Sequence, residues 1–346
     1  MFTKKTVFVV GAGGSFEVGL PVGSTLKTRI AEKLDVRASG SFEGNPAIVR
    51  AVASAAKETS SFGGAVNRLV GAAQAIRGAM PLAISIDNYL NTHSHDSDVV
   101  MMGKFGITAC ILDAEANSTL REYDAAYNMD FANIPDSWHN TFCKMLTENV
   151  RLGDLETVFE NVAIITFNYD RCIEHYLLTW LIKYMRIPYG EAAEICKRLP
   201  IFHPYGQVGL LPWQTTSGSG VRFGEPPTEY NIRQISSQIR TFTERVDDDD
   251  MLSAMRDYLS EAERVIFLGF SFGKMNMDLM RTGRDGPRKD VLGTVLQMSN
   301  PNKAEADHRI RTTLTGADSG WLVTGMELSS VAANELLNNY WYRLSD

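Results

Sequence analysis

Directly after the apolar run Thr6–Val10 the chain reads Gly11-Ala12-Gly13-Gly14-Ser15, and Gly19-Leu20-Pro21 follows. Glycines crowded at the end of a strand let backbone come close to a ligand. Backbone N–H groups around Gly13, Gly14 and Ser15, aided by a helix start, suit a phosphate. Three more polar or glycine motifs each stand after an apolar run: Phe167-Asn168-Tyr169-Asp170, His203-Pro204-Tyr205-Gly206 and Gly269-Phe270-Ser271. A carboxamide such as Asn168 both donates and accepts, so it can position a water. His203 can take a proton near neutral pH. Each residue also has an ordinary structural use. Asn168 and Asp170 are helix-capping types, a single histidine is often buried and satisfied, and Ser271 and the glycines fit turns. Their joint placement at strand ends favours a site.

The elements that must hold these residues alternate. Thr6–Val10, Val162–Phe167, Leu199–His203, Val265–Gly269 and Val291–Met298 read as strands, with Trp321–Thr324 as a last one. Ser24–Leu34 reads as a helix with Ser24 as its N-cap, Cys172–Met185 as another, and Asp250–Glu263 as a third with one apolar face. The acid run Asp247–Asp250 reads as complementing that third helix's dipole. From about Asp35 to Gly153 the chain is rich in Ala and Ser with helical periodicity, which predicts a helical insertion with a less ordered patch near Ser39–Asn45. Apolar strands separated by helices predict a doubly wound, mostly parallel α/β sheet, with ligands beyond the carboxyl ends of its strands.

Composition sets outer limits. The 346 residues suffice for one large domain, residues 1–346, with residues 35–153 inserted in it. Net charge is −7, so no footprint for nucleic acid is visible. No stretch has the apolar length of a membrane span, and no signal-peptide pattern opens the chain. Cys110, Cys143, Cys172 and Cys196 form no Cys-x-x-Cys pair, which argues against a zinc ribbon and a disulfide framework and points to the cytoplasm. The string His93-Ser94-His95-Asp96-Ser97-Asp98 has Ser97 where an H-x-H-x-D metal motif needs Asp, and reads as a polar loop. No metal site is expected.

The third glycine of the dinucleotide fingerprint G-x-G-x-x-G is replaced by Phe16, which disfavours a dehydrogenase. The motifs in their order instead resemble the sirtuin signature. Gly11 to Ser15 with Gly19-Leu20-Pro21 is similar to G-A-G-x-S-x-x-x-G-I-P, Asn168-x-Asp170 to Q-N-x-D, His203 to the catalytic histidine, and Gly269-x-Ser271 to G-T-S. Val221-Arg222-Phe223-Gly224-Glu225 resembles V-x-F-G-E, and Asn300 stands where sirtuins place an asparagine near the adenine ribose. The zinc cysteines are missing, Gly23-Ser24 replaces Phe-Arg, and Phe167 replaces the Gln. In these departures the chain resembles the zinc-free, sirtuin-like NAD hydrolases of bacterial antiphage defence, which share F-N-Y-D and a large helical insertion.

That resemblance implies a Rossmann-like fold and NAD as substrate. Gly11, Ala12, Gly13, Gly14, Ser15, Pro21, Asp170, Gly269, Ser271 and Asn300 would bind it, with Asn168 and His203 catalytic. Nicotinamide leaves NAD as a neutral group through an oxocarbenium-like transition state, so the site must hold the ribose and place a water. A sirtuin-type deacylase and a nucleotide-binding sensor or scaffold subunit remain the alternatives. Such a hydrolase needs gating, which implies a homo-oligomer and a partner such as a HerA-type hexameric ATPase. The insertion and the tail stripe Leu336, Leu337, Tyr340, Trp341 and Leu344 are the candidate surfaces, although that stripe equally fits packing on its own core.

Overall fold

The computed structural model describes residues 2–38, 41–122, 128–216, 218–241, 244, 249–282, 286–315 and 322–345. Its strands are β1 (Thr6–Val10), β2 (Arg37–Ala38), β3 (Phe42–Glu43), β4 (Val162–Thr166), β5 (Ile201–Phe202), β6 (Arg264–Leu268), β7 (Lys289–Thr294) and β8 (Val323–Ser329). The first helices are α1 (Ala12–Phe16), α2 (Gly23–Lys33), α3 (Pro46–Lys57), α4 (Phe62–Ala79), α5 (Ile86–Thr92), α6 (Ser97–Ala116) and α7 (Trp138–Thr147). After β4 come α8 (Cys172–Trp180), α9 (Tyr189–Cys196), α10 (Glu229–Ser236), α11 (Asp249–Glu261), α12 (Lys274–Leu279), α13 (Asn300–Thr315), α14 (Ala333–Asn339) and α15 (Trp341–Ser345). None of the described helices is long and apolar enough to cross a membrane.

Six strands form one sheet in the order β5-β4-β1-β6-β7-β8, and every neighbouring pair is parallel. Counting only these strands in chain order gives 3-2-1-4-5-6, the doubly wound Rossmann-like order that reverses between β1 and β6. Strands β1, β4 and β6 are buried along their whole length. That is why they read as unbroken apolar runs rather than alternating ones. Successive side chains still point to opposite faces. Val7 and Val9 enter a core with α2, α6, α11 and α13, while Phe8 and Val10 enter one with α7, α8, α9 and α14.

Several boundaries differ from the sequence expectation. Helix α2 starts at Gly23 with Val22 as N-cap and no side-chain cap, so Ser24 lies inside it. The Cys172–Met185 segment is α-helical only to Trp180 and widens into a π-helical turn over Leu181–Met185. Arg37–Ala38 and Phe42–Glu43 pair antiparallel across the patch read as less ordered. Trp321 and Asp247 lie outside the described residues. Residues 35–153 serve both faces of the sheet. Helices α3 to α6 join the core that also holds α10, whereas α7 packs in the opposite one. The tail stripe belongs to the core. Leu336, Leu337 and Leu344 are fully buried there with Tyr340 and Trp341 packed against them, so the stripe itself is internal.

Capping explains where the inserted helices begin. Asn45 accepts from the amides of Ala47 and Ile48 with Pro46 at the first turn, and Ser85 and Ser137 cap α5 and α7. Asp96, from the histidine-aspartate string, caps α6 through the amides of Asp98 and Val99, and Asp98 pairs with Arg68. His93 ends α5 and lies against the Tyr89 ring, with centroids 4.4 Å apart.

In the α7 core His139 sits between Trp138 and Tyr176, with centroids 4.3 and 5.5 Å away, and neither ring nitrogen has a partner among the described residues. Burial pulls its pKa down from 6.5 to about 3. Between those values the unfolded chain binds a proton that the folded one refuses, so stability falls as pH drops below about 6.5. His139→Phe removes this penalty. Its stability advantage over the parent, from urea melts, should grow by up to about 2 kcal/mol between about pH 7.5 and pH 5. A pH-independent difference would contradict the neutral buried histidine.

Candidate functional site

The four strand-end motifs meet at the carboxyl edge of the sheet. The amide of Phe167 donates to Val10 O, that of Gly11 to Leu268 O, and that of Gly13 to Gly269 O at 3.0 Å. Loops after β4, β1 and β6 are thus bonded side by side at the point where strand order reverses, the place where open α/β sheets bind ligands. Glycine is required there by the contact between loops. Gly269 has φ +58°, and a Cβ on it would lie 2.0 Å from the Gly14 amide nitrogen. A Cβ on Gly13 would meet Gly269 Cα at 2.8 Å.

Asn168 is the link between the loops. Its Nδ2 donates to Gly11 O at 3.1 Å and Ser15 Oγ at 2.9 Å, and its amide donates to Thr166 Oγ1. It therefore does not cap α8, and its Oδ1 keeps no partner among the described residues. Asp170 does serve the helix start, accepting from the Cys172 amide at 3.1 Å. Burial raises the Asp170 pKa; hydrogen bonds from Cys172 and Ser15 oppose this, and nearby Glu174 adds to it.

His203, the residue directly after β5, reaches the same place. Its Nδ1 lies 3.3 Å from Asn168 O and its Nε2 2.7 Å from Glu174 Oε1. Pro21 is buried behind the first loop. Ser271 and Asn300 are exposed, and no hydrogen bond among the described residues ties either to the other motifs. The cradle drawn from the amides of Gly13 and Gly14 needs correction. Both donate to protein carbonyls, Gly269 O and Gly11 O, so these two are not open to a phosphate.

Surrounding contacts hold the loops rigid. Trp138 Nε1 donates to Gly14 O at 3.1 Å, and the Glu17 carboxylate accepts from the amides of Trp138 and Asn334. Tyr169 donates to Asp87 on α5, and Tyr205 to Asn276 on α12. Rings of Phe167, Tyr205 and Phe270 pack together at 5.2 to 5.9 Å between centroids. A separate cleft of about 370 Å³ opens at the opposite, amino end of β1 and β4, beside Lys5, Glu160, Asp257 and Tyr258. It lies away from every motif.

No family model and no curated protein matches this chain.

Sequence reasoning missed three residues. Arg171 and Glu115 are completely buried and form an ion pair, with the Arg171 guanidinium also donating to Val221 O at 2.6 Å and to Arg222 O. Glu174 is buried under His203. One signal was available: Glu174-His175 are ionisable residues in α8, a helix buried on all sides. Ionisable groups are placed in such a helix only with partners. His175 has its own, with Nε2 on Leu120 O and the ring stacked on Phe223 at 4.1 Å.

Glu115→Ala leaves the Arg171 charge buried and unpaired, which costs about 3–5 kcal/mol. Urea melts of Glu115→Ala, Arg171→Ala and the double variant should show the double variant well short of the sum of the singles. Additive losses would mean that the pair is not coupled.

Proposed function

We propose that this protein cleaves the bond between nicotinamide and ribose in NAD, releasing nicotinamide and ADP-ribose. One observation carries the reading. Asn168 binds Gly11 and Ser15 at the reversal point of the sheet while His203 stands on Asn168 O. This joins the glycine loop, the carboxamide and the imidazole of the resembling motifs in one cluster. The Asn168 Oδ1 can accept from a water and fix its direction. Departure of neutral nicotinamide asks for no strong general acid, so positioning and charge carry the catalysis. The Phe167, Tyr205 and Phe270 rings pack together beneath the same edge and support the turn that carries Asn168.

The sensor reading draws on a different observation. The amides of Gly13 and Gly14, the Asn168 Nδ2 and both His203 nitrogens already face protein acceptors, as in a site that binds a nucleotide and turns over nothing. Incubation with NAD, with and without an acylated peptide, separates the readings. Free ADP-ribose supports hydrolysis, acyl-ADP-ribose indicates a deacylase, and binding without product indicates a sensor. In Asn168→Ala, turnover should fall by about 10²–10⁴ while the far-ultraviolet circular dichroism is kept. Near-normal turnover in that folded variant would refute the role.

The resemblance also supports an effector of antiphage defence whose activity is gated by self-assembly and by a partner such as a HerA-type ATPase. Leu82 and Ile84, 88% and 84% exposed between α4 and α5, supply apolar surface on the insertion. We expect a homo-oligomer in light scattering with low basal NAD cleavage that changes when the partner is added. A monodisperse monomer with full activity at micromolar concentration would contradict this.

A further inference from the structure

Glu174 lies on α8, directly beneath His203. Its Oε1 meets His203 Nε2 at 2.7 Å, and its Oε2 is buried with no partner among the described residues. On the other side of the ring, Nδ1 faces Asn168 O at 3.3 Å. Carboxylate and carbonyl are both acceptors, so in this arrangement both nitrogens carry protons and His203 rests as a cation. An imidazolium has no lone pair and cannot take another proton. The two contacts are unequal: 2.7 Å to a carboxylate is a charge-assisted bond, whereas 3.3 Å to a neutral carbonyl is long and weak. The Nδ1 proton is therefore the one given up, on the side of Asn168 and the glycine loop.

We propose that Glu174 is the positioning residue of this site: it clamps His203 through Nε2, so that Nδ1 is the nitrogen that accepts the proton in the reaction. The assignment rests on the NAD-cleaving reading. In that step a water oxygen bonds to the anomeric carbon while the N-glycosidic bond breaks, its electron pair leaving with nicotinamide. The water's proton passes to Nδ1, directly or through a ribose hydroxyl, and then to solvent. A purely structural role explains Glu174 poorly. A buried carboxylate that leaves one oxygen unpaired stabilises a fold less than an apolar residue of the same shape.

The surroundings set the pH dependence. Burial lowers the His203 pKa, but Glu174 raises it more, through charge and hydrogen bond, and Asn168 O and the Asp170 carboxyl add to the rise. The net direction is above 6.5. Cys172 on α8 and Cys196 on α9 also face Glu174, and burial pushes both thiols up, so they stay neutral. The free base thus appears only as pH rises through this elevated value, and NAD cleavage should have an acid limb there.

The test uses the full chain, Glu174→Gln and Glu174→Asp, assayed on NAD from about pH 5.5 to about pH 9, with His203 titrated by NMR and assigned with His203→Gln. In Glu174→Gln the acid limb and the NMR titration should both move down by about one pH unit. The plateau kcat should fall about tenfold or more with KM within about twofold, and Glu174→Asp should recover part of both shifts. An unchanged His203 titration in folded Glu174→Gln overturns the clamp. So does a loss confined to KM or to urea stability. Absence of NAD cleavage by the parent protein sinks the function reading, and Glu174's catalytic part with it, while the NMR titration separately shows whether the pair exists.

Discussion

A guanidinium with no exposed surface organises this molecule. Arg171 follows Asp170 in the chain, and its backbone amide and side chain both bond to Glu115 near the end of α6. Its remaining donors hold the carbonyls of Val221 and Arg222. One side chain thereby joins three stretches far apart in sequence: the inserted helices, the turn after β4 and the loop that carries Phe223. A buried charge tolerates little displacement, because each lost bond leaves a desolvated group behind. The turn from Asn168 to Asp170 is fixed as a consequence, and the insertion that looks separable in sequence is tied to the sheet edge it covers.

That fixed turn acts on the loops beside it. Asn168 reaches Gly11 and Ser15 from a turn whose next residues are anchored by Arg171, and the glycine loop in turn touches Gly269 backbone to backbone. Close approach of two loops, rather than of loop and ligand, is what demands Gly13 and Gly269. The glycine pattern is informative about ligands only indirectly. It places two strand ends in contact at the reversal of the sheet, and the reversal makes the crevice.

Much of this frame was legible from local signals. The apolar runs of β1, β4 and β6 are unbroken because both faces are covered, and each leads straight into a motif, so all three motifs stand at the same edge of the sheet. What could not be read depends on partners distant in sequence. Nothing local tells Glu115 that it will meet Arg171, or sends α7 to the opposite face from α6. His203 could be selected by type, but its charge state is set by two acceptors, one on α8 and one on the turn after β4. The tail stripe shows the same limit in reverse. Its spacing describes an apolar face, and only packing against the α7 core decides that the face is internal.

Charge around the edge then connects fold to the proposed chemistry. Three buried carboxyl groups, Glu115, Asp170 and Glu174, surround two groups able to carry positive charge, Arg171 and His203. Glu115 is matched to Arg171 and Glu174 to His203, which leaves Asp170. Its hydrogen bonds from Cys172 and Ser15 favour the carboxylate, yet burial wins and its pKa is raised. A group disfavoured as an anion in the resting site is the one whose charge a nearby cation would stabilise. In the proposed reaction, loss of nicotinamide would concentrate positive charge on the sugar, and Asp170 stands two residues after the Asn168 that holds Ser15. A carboxylate fixed here would then interact more strongly with a cationic sugar than with the neutral one. The burial that makes Asp170 costly to ionise would also leave its field little screened wherever a neighbouring cation made it ionise.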